Sequence, residues 1–253
     1  MRLRLRLAYD GAAFRGWQSQ PGGGAVQDVL QQTFARLAGG ATVPVQGSGR
    51  TDAGVHALGQ IAHAEVPDDC GPADWTRALN AVLPPSVRVL SCRRCPASFH
   101  ARLSATGKVY DYLLWTGPVL PPLRAGRCWH VHPAPDLDLL RAAARVLEGR
   151  HDFRGFSANR GGPPVRNTTR HVRSIRVTAR GPLVRLRFEG DGFLYKMVRM
   201  LVAAIVAVAR GKASMDDLRA RRDGRPAPLA RAVAPAGGLY LVKVTHGRSA
   251  QSG

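Results

Sequence analysis

The stretch Gly47–Ser48–Gly49–Arg50–Thr51–Asp52–Ala53–Gly54–Val55–His56 sets one guanidinium and one carboxylate among three glycines. Glycine reaches positive φ and lets a second segment approach its backbone closely. A loop of this composition can therefore hold Arg50 and Asp52 in a strained, outward-facing position. A hairpin that merely turns the chain would more often carry Ser, Asn and Pro around one or two glycines. A phosphate loop is excluded, because Gly-x-x-x-x-Gly-Lys-Ser/Thr is absent and no lysine follows the glycines. A nucleophile elbow is excluded too, since Gly47–Ser48–Gly49 lacks the Gly-x-Ser-x-Gly spacing. What remains is a carboxylate beside a guanidinium. An opposite charge within about 4–6 Å keeps a carboxylate ionised, and an ionised carboxylate in a pocket serves as nucleophile or general base.

The rest of the chain says what such a group would act on. Lys and Arg number 37 against 17 Asp and Glu, a formal net charge of +20 and a pI near 11.4. Nearly all of the positive charge is arginine; the lysines are Lys108, Lys196, Lys212 and Lys243. Arginine-rich codon usage would favour Arg over Lys but would not produce the excess over acids. Guanidinium forks suit phosphate oxygens and stack on bases, so the partner expected is a polyanion, nucleic acid first. The start, Met1–Arg2–Leu3–Arg4–Leu5–Arg6–Leu7, alternates with period two and has no apolar signal core. No apolar run approaches the roughly 20 residues needed to cross a bilayer. A cytoplasmic protein without a membrane partner is expected.

Cys92–Arg93–Arg94–Cys95 is a Cys-x-x-Cys pair, with His100, Cys128 and His130 as candidate further ligands. A zinc site needs four ligands, and no second Cys-x-x-Cys or His-x-x-x-His pair is present. These cysteines and Cys70 read as free thiols of a reducing compartment.

The elements that must position Arg50 and Asp52 follow from hydrophobic period. Alternation predicts strands over residues 3–9, 42–46, 60–66 and 86–91. Residues 25–37 read as a helix with Val26, Val29, Leu30, Thr33, Phe34 and Leu37 on one face, stopped by Gly39–Gly40. Residues 72–83 read as a second helix with Trp75, Leu79 and Leu83 inward, and His63 reads as a sheet residue rather than a ligand. This β-α-β-β-α-β order resembles a ferredoxin-like unit. Further on, strands are expected over 107–115, 171–178, 183–189 and 239–244, and helices over 137–147, 197–209 and 218–222. Flexible segments are expected at 21–24, 159–164 and 247–253. Two halves of similar plan, 1–104 and 105–246, suggest an α+β protein with a pseudo-symmetric sheet and a cleft.

Two residues of the second half invite a functional reading. Tyr110 and Tyr112 share one face of a strand; they are either good strand formers or a ring on which a base stacks, beside Lys108. Arg199 interrupts an otherwise apolar helix, where a charge without a partner is costly. It either snorkels or pairs with Asp191, or it projects into the cleft toward Asp52 or a phosphate.

Taken together these motifs resemble the tRNA pseudouridine synthase A family over nearly the whole chain, about residues 5–245. The resemblance rests on Tyr9–Asp10–Gly11 with Phe14–Arg15–Gly16–Trp17–Gln18, and on Gly49–Arg50–Thr51–Asp52–Ala53–Gly54–Val55–His56–Ala57. It continues through Phe99–His100–Ala101–Arg102, Tyr110–Asp111–Tyr112, His151–Asp152–Phe153, Gly192–Phe193–Leu194, Met197–Val198–Arg199 and Pro235–Ala236–Gly237–Gly238–Leu239. It implies two ferredoxin-like subdomains forming a bent, mostly antiparallel sheet with a central basic cleft, and a homodimer. It implies isomerisation of uridines 38, 39 and 40 in the anticodon arm of tRNA, with no cofactor and no metal. It places Asp52 on the catalytic aspartate and Tyr110 on the tyrosine that stacks on the target uracil. Arg50 and Arg199 fall on arginines that contact the RNA or the aspartate. Ala25 stands where the family usually has Thr, and the Cys92/Cys95 pair is no part of the family pattern. A non-enzymatic RNA-binding protein would also explain the charge and the strand aromatics, but not a lone acid inside a basic, glycine-flanked loop.

Overall fold

The computed structural model describes residues 1–68, 71–159 and 166–247. Cys70, the Gly/Pro segment beyond Asn159 and the tail beyond Gly247 lie outside the described residues. The chain forms two compact units, Met1–Thr106 with the chain from Tyr240 onward, and Gly107–Leu239. The first runs β1 (Arg2–Tyr9), α1 (Val26–Leu37), β2 (Val45–Gly47), β3 (His56–Glu65), α2 (Trp75–Val82) and β4 (Val87–Arg94). Next come β5 (Ala105–Trp115), β6 (Trp129–His130), α3 (Leu137–Val146), β7 (Gly149–Asp152), β8 (Thr169–Arg180), β9 (Leu183–Gly190), α4 (Met197–Ala209) and α5 (Met215–Arg222). The last strand, β10 (Leu239–His246), returns to the first unit. The fold class is α+β, and the strands pair mostly antiparallel.

In the first unit the order is β4-β1-β3, with β2 also on β3. That is the strand order of a ferredoxin-like unit. The alternation in β1 does what period two requires: Leu3, Leu5 and Leu7 are buried while Arg4 and Arg6 face out. Helix α1 buries Val26, Leu30, Thr33 and Phe34. It ends where Gly39 and Gly40 take φ of 64° and 92°, and the Gly40 amide donates to the Ala35 carbonyl at 2.8 Å. That bond satisfies a terminal carbonyl which a residue with a Cβ would reach only under strain. Strand β1 runs along one edge of β3 from Glu65 to Ala57. On the other edge β2 pairs with Ala62–Ala64, and β10 pairs in parallel with His56 and Ala57. β3 therefore starts four residues before the position that alternation indicates. Its residues are buried on both faces, so the period-two signal is lost there. β2 is shorter than expected: Pro44, just before it, has no N–H to give to a ladder.

In the second unit the order is β5-β9-β8-β7, with β6 beside β5. The run β5-β9-β8 repeats the order of β1-β3-β2. Register puts Tyr110, Phe188 and Ile175 in one row and Tyr112, Leu186 and Val177 in the next but one, all on the same face. Asp111, Arg187 and Arg176 form a row on the opposite face. Helix α3 packs on β8 and α4 packs on α3. All residues of α4 except Arg199 and Ala207 are buried, and its bounds are those read from its apolar run. β6 and β7 span two and four residues, too short to leave a periodic trace.

Ala25 occupies the N-cap of α1 and has no side chain with which to cap it. One half of a capping box survives, because the Asp28 carboxylate accepts the Ala25 amide at 2.9 Å. Replacing Ala25 with Ser supplies the missing acceptor. The Ala25→Ser protein is expected to unfold in urea with about 0.5–1 kcal/mol more stability than the parent.

Candidate active site

The residues from Ser48 to Val55 join β2 to β3, and buried polar groups hold them from below. The Ser48 amide continues the ladder to the Ile61 carbonyl at 2.7 Å. Gln60, fully buried in β3, accepts from the Ser48 hydroxyl at 2.7 Å and donates to the Gly49 carbonyl at 2.9 Å. The Tyr9 hydroxyl lies 2.9 Å from Thr51 Oγ1, and the Trp17 amide donates to the Thr51 carbonyl at 3.1 Å. Burial raises the Tyr9 phenol to about 12, so it stays a neutral hydroxyl at physiological pH. A turn closes where the Val55 amide donates to the Asp52 carbonyl at 3.1 Å, with Gly54 at φ 80°. Thr51 and Val55 are buried, Asp52 is half-buried and Arg50 is exposed, its Nε donating to Gln18 Oε1 at 3.1 Å. Arg50 and Asp52 thus share one presented loop.

The loop is not strained in the way its glycines suggest. Gly54 is the one loop glycine at positive φ, and neither Arg50 nor Asp52 has one. Among the described residues, Lys196 is the non-glycine residue with positive φ, at 59°. The other use of glycine, close approach, is what the structure exploits. A Cβ on Gly47 would lie 2.4 Å from the Trp17 ring. One on Gly11 would lie 2.0 Å from the Val55 carbonyl oxygen, and one on Gly16 would lie 2.7 Å from that of Thr51. The Tyr9–Asp10–Gly11 and Gly16–Trp17 motifs therefore form the wall against which the Asp52 loop is pressed. At the end of the loop His56 is buried, with Nδ1 3.1 Å from the Gly11 amide and 3.0 Å from Asp10 Oδ1. The Tyr240 ring of β10 stacks on His56 at 4.7 Å.

In the second unit the two tyrosines of β5 divide their roles. Tyr112 is fully buried, donates its hydroxyl to the Pro235 carbonyl at 2.8 Å, and touches Gly238 where no Cβ fits. It is a structural anchor for the Pro235–Gly238 turn, and burial raises its phenol well above the ordinary value. Tyr110 is 7% exposed and meets the Phe193 ring edge-on at 5.4 Å. Between them Asp111 is gripped by Arg187 through two bonds of 2.7 Å. Arg199 donates from Nε to the Ala234 carbonyl at 2.7 Å, and the Ala234 amide donates back to the Arg199 carbonyl at 3.2 Å. The Asp191 carboxylate accepts the His171 amide at 3.1 Å.

Sequence reasoning gave no role to Gln60 or Arg221, and carried Tyr9 and Phe193 only as members of motifs. A glutamine between Gly59 and Ile61 in a strand was the available signal, because buried polar side chains are kept where they bond something specific. His63 is a sheet residue, as expected: it is buried in β3 and its Nδ1 accepts the Ala101 amide at 3.2 Å. Cys92, Cys95 and Cys128 are free thiols. Burial pushes Cys92 up to about 12, far from a reactive thiolate. Among the described residues no group of three His, Cys, Asp or Glu side chains could hold a metal ion, and no helix is long and apolar enough to cross a membrane.

The family model for tRNA pseudouridine synthase matches residues 7–103 and 143–246. The chain is similar to the tRNA pseudouridine synthase A of Akkermansia muciniphila, 45% identical over 96% of this chain and 94% of that protein. It is similar also to that of Solidesulfovibrio magneticus, 45% identical over 100% of this chain and 93% of that protein. With that of Methylacidiphilum infernorum it shares 42% identity over 96% of this chain and 94% of that protein. The chain belongs to the tRNA pseudouridine synthase A family.

His63 supports the Phe99–His100–Ala101–Arg102 motif and makes stability depend on pH. Burial, with the nearby His100 and Arg2, lowers its imidazole from 6.5 to about 4. Below about pH 6.5 the unfolded chain binds a proton that the folded chain refuses until about pH 4. The stabilisation is therefore present at neutral pH and is lost as pH falls through that window. His63→Gln keeps an acceptor for the Ala101 amide and removes the titration. Between about pH 6 and pH 4.5, the parent should lose stability against this variant by up to about 1.4 kcal/mol per pH unit, measured by urea unfolding.

Proposed function

We propose that this protein isomerises uridine to pseudouridine in the anticodon arm of tRNA, at positions 38, 39 and 40, with Asp52 as the nucleophile. The observation that carries the reading is a half-exposed carboxylate on a loop held by buried hydrogen bonds, in a chain of net charge +20 that belongs to this family. An acid in that place weakens simple RNA binding, so its presence argues for chemistry.

The reaction breaks the N1–C1′ glycosidic bond, turns the uracil and joins C5 to C1′; C5 gives up a proton and N1 gains one. It is an isomerisation, balanced without an oxidant, a reductant or a group donor, and it calls for no cofactor and no metal. An ionised Asp52 can attack C1′ of the sugar or C6 of the base. The target nucleotide must leave the stack to reach it, at a cost that is smallest near a loop end. Tyr110 holds the freed uracil by its ring. Arg50 and Arg199 grip the RNA through guanidinium forks suited to phosphate. The reading brings with it a homodimer working in the cytoplasm, where tRNA is modified. The competing reading, an RNA-binding protein without catalysis, accounts for the charge and the strand aromatics but not for Asp52.

Unmodified tRNA carrying tritium at C5 of uridine separates the two. The parent protein is expected to release tritium to water, and Asp52→Ala to bind the same tRNA while releasing none. Bound tRNA with no release by the parent would leave the RNA-binding reading. Affinity for tRNA should also fall by at least about tenfold between about 50 and 200 mM salt, because arginine–phosphate contacts release counterions.

A further inference from the structure

The interior of a strand buried on both faces is ordinarily apolar, yet Gln60 stands in the middle of β3 with none of its surface exposed. Both ends of its amide bond the loop that carries Asp52. Its Nε2 faces the Gly49 carbonyl, which can only accept, and its Oε1 faces the Ser48 hydroxyl. The partners thus fix which end is which. The Gln60 amide also acts on the neighbouring Tyr9 hydroxyl, which itself meets Thr51 Oγ1 at 2.9 Å. Gln60, through Ser48 and Gly49, and Tyr9, through Thr51, tie down three of the four residues preceding Asp52. The fourth is the exposed Arg50.

We propose that Gln60, acting with Tyr9, is a positioning residue for the reaction: it fixes the backbone on which Asp52 is carried and so the aim of its carboxylate. The inference rests on the reading of Asp52 as nucleophile. Neither Gln60 nor Tyr9 touches substrate. Their loss leaves the arginines that grip tRNA in place and misdirects the attacking group, where a displacement of about 1 Å costs on the order of a hundredfold in rate.

The test uses the full chain as Gln60→Leu, Gln60→Glu, Tyr9→Phe and the Gln60→Leu/Tyr9→Phe double variant, beside the parent and Asp52→Ala. Three quantities are read: the single-turnover rate of tritium release at saturating enzyme, the Kd for tRNA, and the thermal midpoint. Gln60→Leu is expected to slow release about ten- to hundredfold, with Kd within about twofold of the parent. The double variant should be slower than Gln60→Leu by less than the factor Tyr9→Phe shows alone, since both hold the same loop. Gln60→Glu keeps the acceptor for Ser48 but, ionised, cannot donate to Gly49. Its rate relative to the parent should rise as pH is lowered and the carboxyl regains a proton. A structural role alone would lower the thermal midpoint and leave the rate constant of folded enzyme unchanged, and that result overturns the proposal. If Gln60→Leu does not fold, Gln60→Glu and Tyr9→Phe decide by the same criteria. Release by Asp52→Ala at the parent rate would remove Asp52 from its role, and the proposal would fall with it for that separately visible reason.

Discussion

The Asp52 loop depends on side chains that are not there. Gly11, Gly16 and Gly47 each lie where a Cβ would sit between 2.0 and 2.7 Å from a neighbouring carbonyl oxygen or indole ring. Their bareness lets the segment after β1 and the indole of Trp17 press directly against the loop, and it brings the Tyr9 hydroxyl and the Trp17 amide within bonding distance of Thr51. The rest of the first unit follows from that contact. β1 must run beside β3 so that Tyr9 and Gln60 meet beneath the loop, and the helix cap at Ala25 must return the chain from Trp17 without disturbing it. A loop built this way is ordered by burial and hydrogen bonding rather than by strained dihedrals. Its conformation is set by the fold itself, through bonds from Tyr9, Trp17 and Gln60.

The arginine excess is less uniform in purpose than the net charge suggests. Arg187 is committed to Asp111, with Arg185 3.9 Å from the same carboxylate. Arg221 is buried, holds the carbonyls of Gly155 and Ala230, and lies 4.6 Å over the Phe156 ring. Burial lowers its affinity for the proton; the carbonyls and the aromatic face compensate part of that desolvation. Arg199 bridges α4 to Ala234. Guanidinium groups here serve as multi-pronged cross-links between loops and helices, which a lysine with its single ammonium could not reproduce. The positive charge presented at the surface is therefore that of the exposed arginines, such as Arg50, and not of the whole count.

The pair Tyr110 and Tyr112 shows the same division within one strand. Period two puts both rings on one face, and neither propensity nor spacing separates them. Packing does: Gly238 and the Pro235 carbonyl take up Tyr112, whereas Tyr110 lies against Phe193 in the short segment before α4. The partners that distinguish them lie more than 80 residues away in the chain.

The sequence by itself determined what depends on neighbours a few residues apart. α4 was legible to the residue because an unbroken apolar run needs no partner to be recognised, and β1 because its leucines and arginines alternate cleanly. The motif around Asp52 was legible because its composition is improbable for a plain turn. The tertiary structure alone decided the rest. The early start of β3, hidden by burial on both faces, depends on β1, β2 and β10 arriving at its edges. One partner of Arg199 is a carbonyl 35 positions away. The support of the Asp52 loop comes from Tyr9, Trp17 and Gln60, and the bond from Tyr9 to Thr51 spans 42 residues. Local preference carries the dihedral angles and the pattern of burial. A hydrogen bond or a missing Cβ acquires its meaning only when folding closes the chain and brings its partner within about 3 Å.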